Sequence, residues 1–143
     1  MKCLHYILMD SGIRTVSASS FIEPIVGVNA RAIPLLLSNN TLTQVDLWNF
    51  PSTGFNTGEF NPTTGVFSVP EQGFFTITAT ITFDANTSGV RSAQIDRNDI
   101  PLTEIEINAS LIGETNIYIT HGVVFLNSGD KISLKVQQDS GGI

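Results

Sequence analysis

Few residues of this chain have the types and spacing that catalysis requires. The sequence holds no glycine-rich phosphate loop, no G-x-S-x-G and no H-E-x-x-H. Its two histidines are His5 and His121, and His121 lies in an alternating apolar run, which favours a hydrogen-bonded core or interface residue over a catalytic base. Glu104 and Glu106 are two apart, which in a strand places both on one solvated face. We therefore predict that the chain is not an enzyme.

Carboxylates at turns leave one other kind of chemistry open, the binding of a metal ion. Oxygen ligands can converge where strands end, and four aspartates fall at predicted strand ends or turns: Asp84, Asp96, Asp99 and Asp130. Turns also attract aspartate because its side chain hydrogen-bonds the local backbone. No cofactor and no metal ligand is assigned.

Composition limits the class of protein. The 143 residues suffice for one domain, and only 14% of them are charged, while Thr, Ile, Val and Phe are frequent. The net charge of −6 argues against nucleic-acid binding, which needs a basic footprint. Cys3 is the single cysteine, so one chain can form neither a disulfide nor a thiolate metal site. These features favour a β-rich protein with a buried surface.

The first residues carry less pattern than the rest. Residues 1–9, MKCLHYILM, are too few to span a bilayer, and His5, Tyr6 and Asp10 interrupt or follow the apolar run too soon for a typical signal peptide. We predict no membrane insertion. Residues 1–27 are interpreted as an N-terminal arm or an extra strand, and residues 28–143 as the folded domain.

Alternating apolar residues, the period of half-buried strands, run through most of that domain. The clearest face is formed by Phe75, Ile77, Ala79, Ile81 and Phe83, with threonines on the other side. A second face is predicted to comprise Ile117, Ile119, His121, Val123 and Phe125. Shorter strands are predicted over residues 33–37, 42–47, 66–69 and 90–97. Turn signals separate these runs, which predicts an all-β antiparallel sandwich or barrel.

The stretch GEFNPTTGVFSVPEQGFF, Gly58–Phe75, combines turn formers with bulky apolar residues. It contains a TG-x-F step ending at Phe67 and a P-x-x-G-x-aromatic step ending at Phe75. With Phe50 before it and the GD hairpin of Gly129 and Asp130 after it, the order resembles the signature of the C1q/TNF-like family. The resemblance implies a two-sheet antiparallel jelly roll, with the phenylalanines between the sheets.

The resemblance also raises a question about one strand. Members of the family carry a last strand after the GD hairpin, inside a sheet, with an aromatic-Ser-Gly pattern, whereas this sequence continues only to DSGGI. An unfilled position would leave buried backbone groups unpaired, at a cost of about 1–3 kcal/mol each. One hypothesis places residues 4–9 there as a replacement strand. The alternatives are a strand from a neighbouring chain and a sequence that is a truncated product.

The resemblance implies a homotrimer. Some members of the family bind calcium, so calcium is kept only as an alternative for this chain. Aromatic residues give large contact area, so the candidates for trimer or ligand contacts are Trp48, Phe50, Phe55, Tyr118 and His121. For Trp48 and Tyr118 an intersheet core position is the equal alternative. Tyr118 lies on the face opposite Ile117 and Ile119.

Two functions of different class follow from this interpretation. The first is a non-enzymatic trimeric structural or binding module displayed on a virion, spore or cell surface. The second is a recognition domain that binds a glycan or protein receptor through loops at one end of the trimer. Either would make the protein extracellular or surface-displayed.

Overall fold

The computed structural model describes residues 3–11, 27–50 and 55–141, and the side chains of residues 27–50 and 56–141. The regular secondary structure of these residues consists of β-strands, which we number β1 to β12 in chain order. Their bounds are Cys3–Ser11, Gly27–Ala32, Thr43–Gln44, Trp48–Asn49, Phe55–Asn56, Phe60–Asn61, Val66–Ser68, Gly73–Phe83, Val90–Arg97, Ile100–Asn108, Thr115–Leu126 and Lys131–Gln138. Within these ranges there is no helix long and apolar enough to cross a membrane.

The strands form two sheets whose pairings are all antiparallel. Sheet A has the order β11-β8-β1-β2-β4, with β5 also pairing with β2. Sheet B has the order β10-β9-β12-β7-β6, with β3 also pairing with β12. The chain crosses repeatedly between the two sheets, and the inner faces of the sheets enclose one apolar core. This is the antiparallel jelly-roll sandwich that the sequence predicted, and the fold class is confirmed.

The first strand of the chain has an interior position in sheet A. The backbone of β1 pairs with β8 on one side, with Tyr6 opposite Thr80, and with β2 on the other, with Tyr6 opposite Arg31. Residues 4–9, proposed from the sequence as a replacement strand, thus lie between two long strands whose ladder groups would otherwise be unpaired. The rest of the predicted arm, residues 12–26, lies outside the described residues.

Alternation places the core as expected along β8. Phe75, Ile77, Ala79, Ile81 and Phe83 are buried, and the threonines between them point to the other side of sheet A. The ring of Phe75 meets that of Phe67 from sheet B edge-on, with centroids 6.0 Å apart. The phenylalanines of the TG-x-F and P-x-x-G-x-aromatic steps therefore join the two sheets.

Two local predictions were wrong. Residues 33–37 form no strand, because Pro34 cannot donate to a ladder; the neighbouring Ile33 N–H donates to the Leu47 carbonyl at 2.8 Å. Phe74 was expected between the sheets but is exposed, because neighbouring strand residues point to opposite faces and Phe75 takes the inner one.

Candidate interaction surface

Strands β8 and β11 form one edge of sheet A, and their outward side chains make a continuous surface. From β8 this surface receives Phe74 and the four threonines between Phe75 and Phe83, whose apolar neighbours fill the core. From β11 it receives residues that the ladder pairs with them. We call this surface the threonine-aromatic face; it comprises Phe74, Thr76, Thr78, Thr80, Thr82, Asn116, Tyr118, Thr120, Val123 and Phe125.

A β-bulge determines which residues of β11 reach this face. The register shifts between His121 and Val123, so Gly122 is the additional residue. Before the bulge, Tyr118 points outward; after it, Val123 and Phe125 do, while Leu126 is buried. The prediction that Val123 and Phe125 share the inner face with Ile117 and Ile119 is therefore wrong, because the bulge reverses the alternation.

The threonine-aromatic face carries large apolar groups and no charge. Tyr118 is 63% exposed, Val123 54% and Phe74 50%, and the rings of Phe74 and Phe125 meet edge-on with centroids 5.3 Å apart. None of the ten described side chains that define the face is ionisable at neutral pH. An uncharged patch of this kind on a soluble fold typically marks a contact surface.

His121 lies beside the bulge and connects the two sheets. Its side chain is half-buried, and its Nδ1 forms a short hydrogen bond with Oγ1 of Thr103 on β10. Strand β10 carries its own bulge next to Thr103, where the register shifts between Pro101 and Thr103. The edges of the two sheets thus meet at paired irregularities, held by one polar side-chain contact. His121 has the hydrogen-bonded position that the sequence favoured.

The other candidate aromatics lie at the opposite edge of sheet A. Trp48 is only 4% exposed; its Nε1 donates to the Val45 carbonyl at 2.9 Å, and its ring packs edge-on against Phe60. Of the two interpretations of Trp48, the structure supports the core position.

Phe50 is exposed just after β4. Phe55 pairs with Asn29 through its backbone, and its side chain lies outside the described part. The structure does not bring these residues together with Tyr118.

The turn aspartates of sheet B bind groups of the chain itself. Asp130 accepts hydrogen bonds from Asn98 Nδ2 and the Asn127 N–H and pairs with Arg97 at 2.7 Å. Asp96 and Asp99 both contact Nζ of Lys135, at 2.7 and 3.1 Å, and the hydrogen bond to Asp96 raises the pKa of Lys135.

Within the ranges whose side chains are described, no three His, Cys, Asp or Glu residues are placed to share a metal ion. The carboxylates of Asp96 and Asp130 act instead as internal ties between strands of sheet B. The positions of these described side chains therefore define no set of ligands for calcium.

A buried arginine shapes the loop between β8 and β9. The guanidinium of Arg91 donates to the carbonyls of Asn86, Ser88 and Val90 at 2.9–3.1 Å, and its Cζ lies 5.9 Å from the centre of the Phe83 ring. Desolvation lowers the pKa of Arg91, against an opposing attraction from Asp139. Sequence reasoning missed this residue.

Comparison with known proteins agrees with the architecture. No family model and no curated protein matches the chain. Among solved structures, the crystal structure of murine APRIL at pH 5.0 is similar, with a TM-score of 0.53 and 14% identity over 95% of this chain and 87% of that chain. APRIL is a jelly-roll protein of the TNF family, so the fold of this chain is a TNF-like jelly roll.

Proposed function

We propose that this protein is a non-enzymatic structural or binding module that forms a homotrimer through the threonine-aromatic face. The observation that carries the proposal is the exposure of Phe74, Tyr118, Val123 and Phe125 on one uncharged sheet face. The TNF-like fold agrees with a trimeric module. Display on a virion, spore or cell surface, and membership of a bacterial or viral C1q/TNF-like group, are the finer parts of the proposal.

The composition of the face supports contact with copies of the same chain. Threonines have few rotamers to lose, and β-branched and aromatic side chains pack tightly between sheets. Each large apolar side chain that leaves water contributes about 1.5–3 kcal/mol. Contact between identical chains requires no complementary charge, and this face has none.

The polar side chains of the site serve structure, which supports a non-enzymatic role. His121 is engaged with Thr103, and Asp96 and Asp130 are engaged with cations of the chain. An active-site histidine or carboxylate would instead be oriented towards a substrate cavity.

Light scattering coupled to size exclusion tests the trimer directly. We expect a mass three times 15.4 kDa for the natural sequence and 15.4 kDa for Tyr118→Lys, because a charge at the centre of an apolar contact is buried without a partner. Leu42→Lys makes the same kind of change at an exposed residue beside sheet B and should leave the mass unchanged. Monomeric natural protein, or a trimeric Tyr118→Lys variant, would contradict the proposal.

A further inference from the structure

A lysine and an aspartate on the outer face of sheet B have their reactive groups in contact. Strands β9 and β12 are neighbours, and the ladder pairs Gln94 with Lys135 and Asp96 with Ser133. The residues that alternate with these four along both strands fill the core, so the four side chains lie on the outer face. Nζ of Lys135 lies 2.7 Å from Oδ2 of Asp96. Two paired strands therefore hold a primary amine against a carboxyl group.

This ion pair is largely removed from water. The side chain of Asp96 is 0% exposed and that of Lys135 is 18% exposed. The hydrogen bond with Asp96 raises the pKa of Lys135, so the resting state of the pair is ammonium and carboxylate. Burial removes hydration from both charges, which makes the transfer of one proton from the amine to the acid less costly than in water. The amine formed by this transfer is a nucleophile already in contact with its target.

Two further side chains are placed to assist the reaction of this amine with the carboxyl carbon of Asp96. Nε2 of Gln94 donates a hydrogen bond of 2.7 Å to Oδ1 of Asp96, the oxygen on which negative charge develops during the attack. Oδ1 of Asp99 lies 3.1 Å from Nζ of Lys135 and can accept the protons that the amine must release. The nucleophile, the acceptor carbon, a donor to the oxyanion and a proton carrier are thus adjacent.

We propose that Lys135 and Asp96 condense to an amide that joins β9 to β12 covalently, with release of one water molecule. Asp99 carries the protons, and Gln94 stabilises the oxygen that becomes negative. The reaction takes place once in each chain and modifies only the chain itself. It occurs on sheet B, whereas the threonine-aromatic face belongs to sheet A, so the inference does not depend on the trimer.

The reaction balances without any other reactant. Asp99 transfers one proton from the Lys135 ammonium to Oδ2 of Asp96, which leaves a neutral amine beside a carboxylic acid. The nitrogen lone pair then forms a bond to Cγ of Asp96, and the carbonyl electron pair moves onto Oδ1. Asp99 takes a second proton from the nitrogen and delivers it to Oδ2 as the bond between Cγ and Oδ2 breaks. Oδ2 leaves as water, the double bond to Oδ1 is restored, and Asp99 is again a carboxylate.

Mass spectrometry of the intact natural protein tests the inference. We expect the folded protein to have a mass lower than that of its sequence by one water molecule. Trypsin does not cleave after a lysine whose amine is acylated, so digestion should release residues 92–97 joined to residues 132–143 as one branched peptide. Natural protein that keeps the full mass of its sequence after prolonged incubation would overturn the inference. A loss of water that maps to any other pair of residues would overturn it as well.

Two variants distinguish this cross-link from other losses of water. Lys135→Arg keeps a cation beside Asp96 but has no amine that condenses, so it should retain the full mass. Asp99→Asn keeps the ion pair and should form the cross-link at least about tenfold more slowly, measured as the cross-linked fraction at equal times after synthesis. A loss of water in Lys135→Arg, or equal rates in Asp99→Asn and the natural protein, would contradict these roles. The branched peptide of the natural protein decides the inference even where a variant does not fold.

Discussion

Gly65 lies directly against the indole nitrogen of Trp48. A Cβ on Gly65 would be 2.5 Å from Trp48 Nε1 and 2.0 Å from the Val45 carbonyl oxygen, the two atoms that share a hydrogen bond of 2.9 Å. Gly65 also has φ of +69°, in the region that favours glycine. The glycine of the TG-x-F step is therefore required both by its backbone conformation and by the close approach of the buried tryptophan.

Gly65→Ala should lower the free energy of unfolding by about 2–4 kcal/mol, because the methyl group must displace the Val45 backbone or break its hydrogen bond with Trp48. Urea denaturation followed by tryptophan fluorescence measures this change. Gly129→Ala is the matched control: Gly129 has φ of +88°, but a methyl group there would meet nothing within 4 Å, so only backbone strain of about 1 kcal/mol is expected. Equal losses at the two sites would contradict the role of Trp48.

Arg91 should prove necessary for the loop between β8 and β9. In Arg91→Met the guanidinium over the Phe83 ring is lost, and the carbonyls of Asn86, Ser88 and Val90 lose their donor. We expect a loss of about 2–4 kcal/mol in stability, together with faster hydrogen exchange at the amides of residues 84–91. Lys131→Met, at an exposed lysine of β12, should cost less than about 0.5 kcal/mol. Unchanged exchange in Arg91→Met would show that the guanidinium does not fix the loop.

The hydrogen bond between Thr103 and His121 predicts a coupling between the two sheets. Thr103→Val and His121→Phe should each lower the stability by about 1 kcal/mol, and the double variant should cost less than the sum of the two. Thr103→Ser keeps the hydroxyl and should retain most of the natural stability. A double-mutant cycle on urea midpoints measures the interaction; additive losses would mean that the hydroxyl and the imidazole act independently.

Strand periodicity was sufficient to predict most of the fold. The alternation from Phe75 to Phe83 predicted the inner face of β8, and the position of Tyr118 between Ile117 and Ile119 predicted its outward orientation, which is confirmed. The order of glycines, prolines and phenylalanines resembles the C1q/TNF-like signature, and the jelly roll was what that resemblance implied; Gly65, with φ of +69°, has the conformation that favours glycine.

The errors in side-chain orientation arise from bulges and tertiary contacts, which an alternating residue pattern does not report. A single inserted residue, Gly122, reverses every later side chain of β11, so the site gained Val123 and Phe125 that alternation had assigned to the core. A glycine inside a strand pattern was the signal for that bulge. The core position of Trp48 depends on a contact with Phe60, and the tie between Arg91 and its loop depends on backbone carbonyls; neither appears in the residue pattern.

The stability of the protein should fall in acid through Asp130. Burial by itself raises the pKa of this carboxyl, but the hydrogen bonds from Asn98 and Asn127 and the charge of Arg97 outweigh it, so the folded pKa is below the usual value. Because folding depresses the pKa, the contribution of Asp130 is complete above the unfolded pKa of about 3.9 and is lost as the pH falls through the lower, folded value.

Asp130→Asn isolates this contribution. At pH 7 we expect the variant to be less stable than the natural protein by about 1.5–3 kcal/mol, because the amide has only one acceptor oxygen: if that oxygen accepts from Arg97 and the Asn127 N–H, its NH2 group faces the Asn98 Nδ2 donor. The difference should narrow as the pH falls below about 4, since the unfolded chain then binds a proton at Asp130 that the folded chain, with its lower pKa, does not yet bind. Asp46→Asn, at an exposed carboxylate, measures the general effect of removing one negative charge. Urea midpoints at pH 7, 5, 4 and about 3 decide the matter: a difference between natural protein and Asp130→Asn that is constant over this range would show that the carboxylate of Asp130 is not the source of the acid sensitivity.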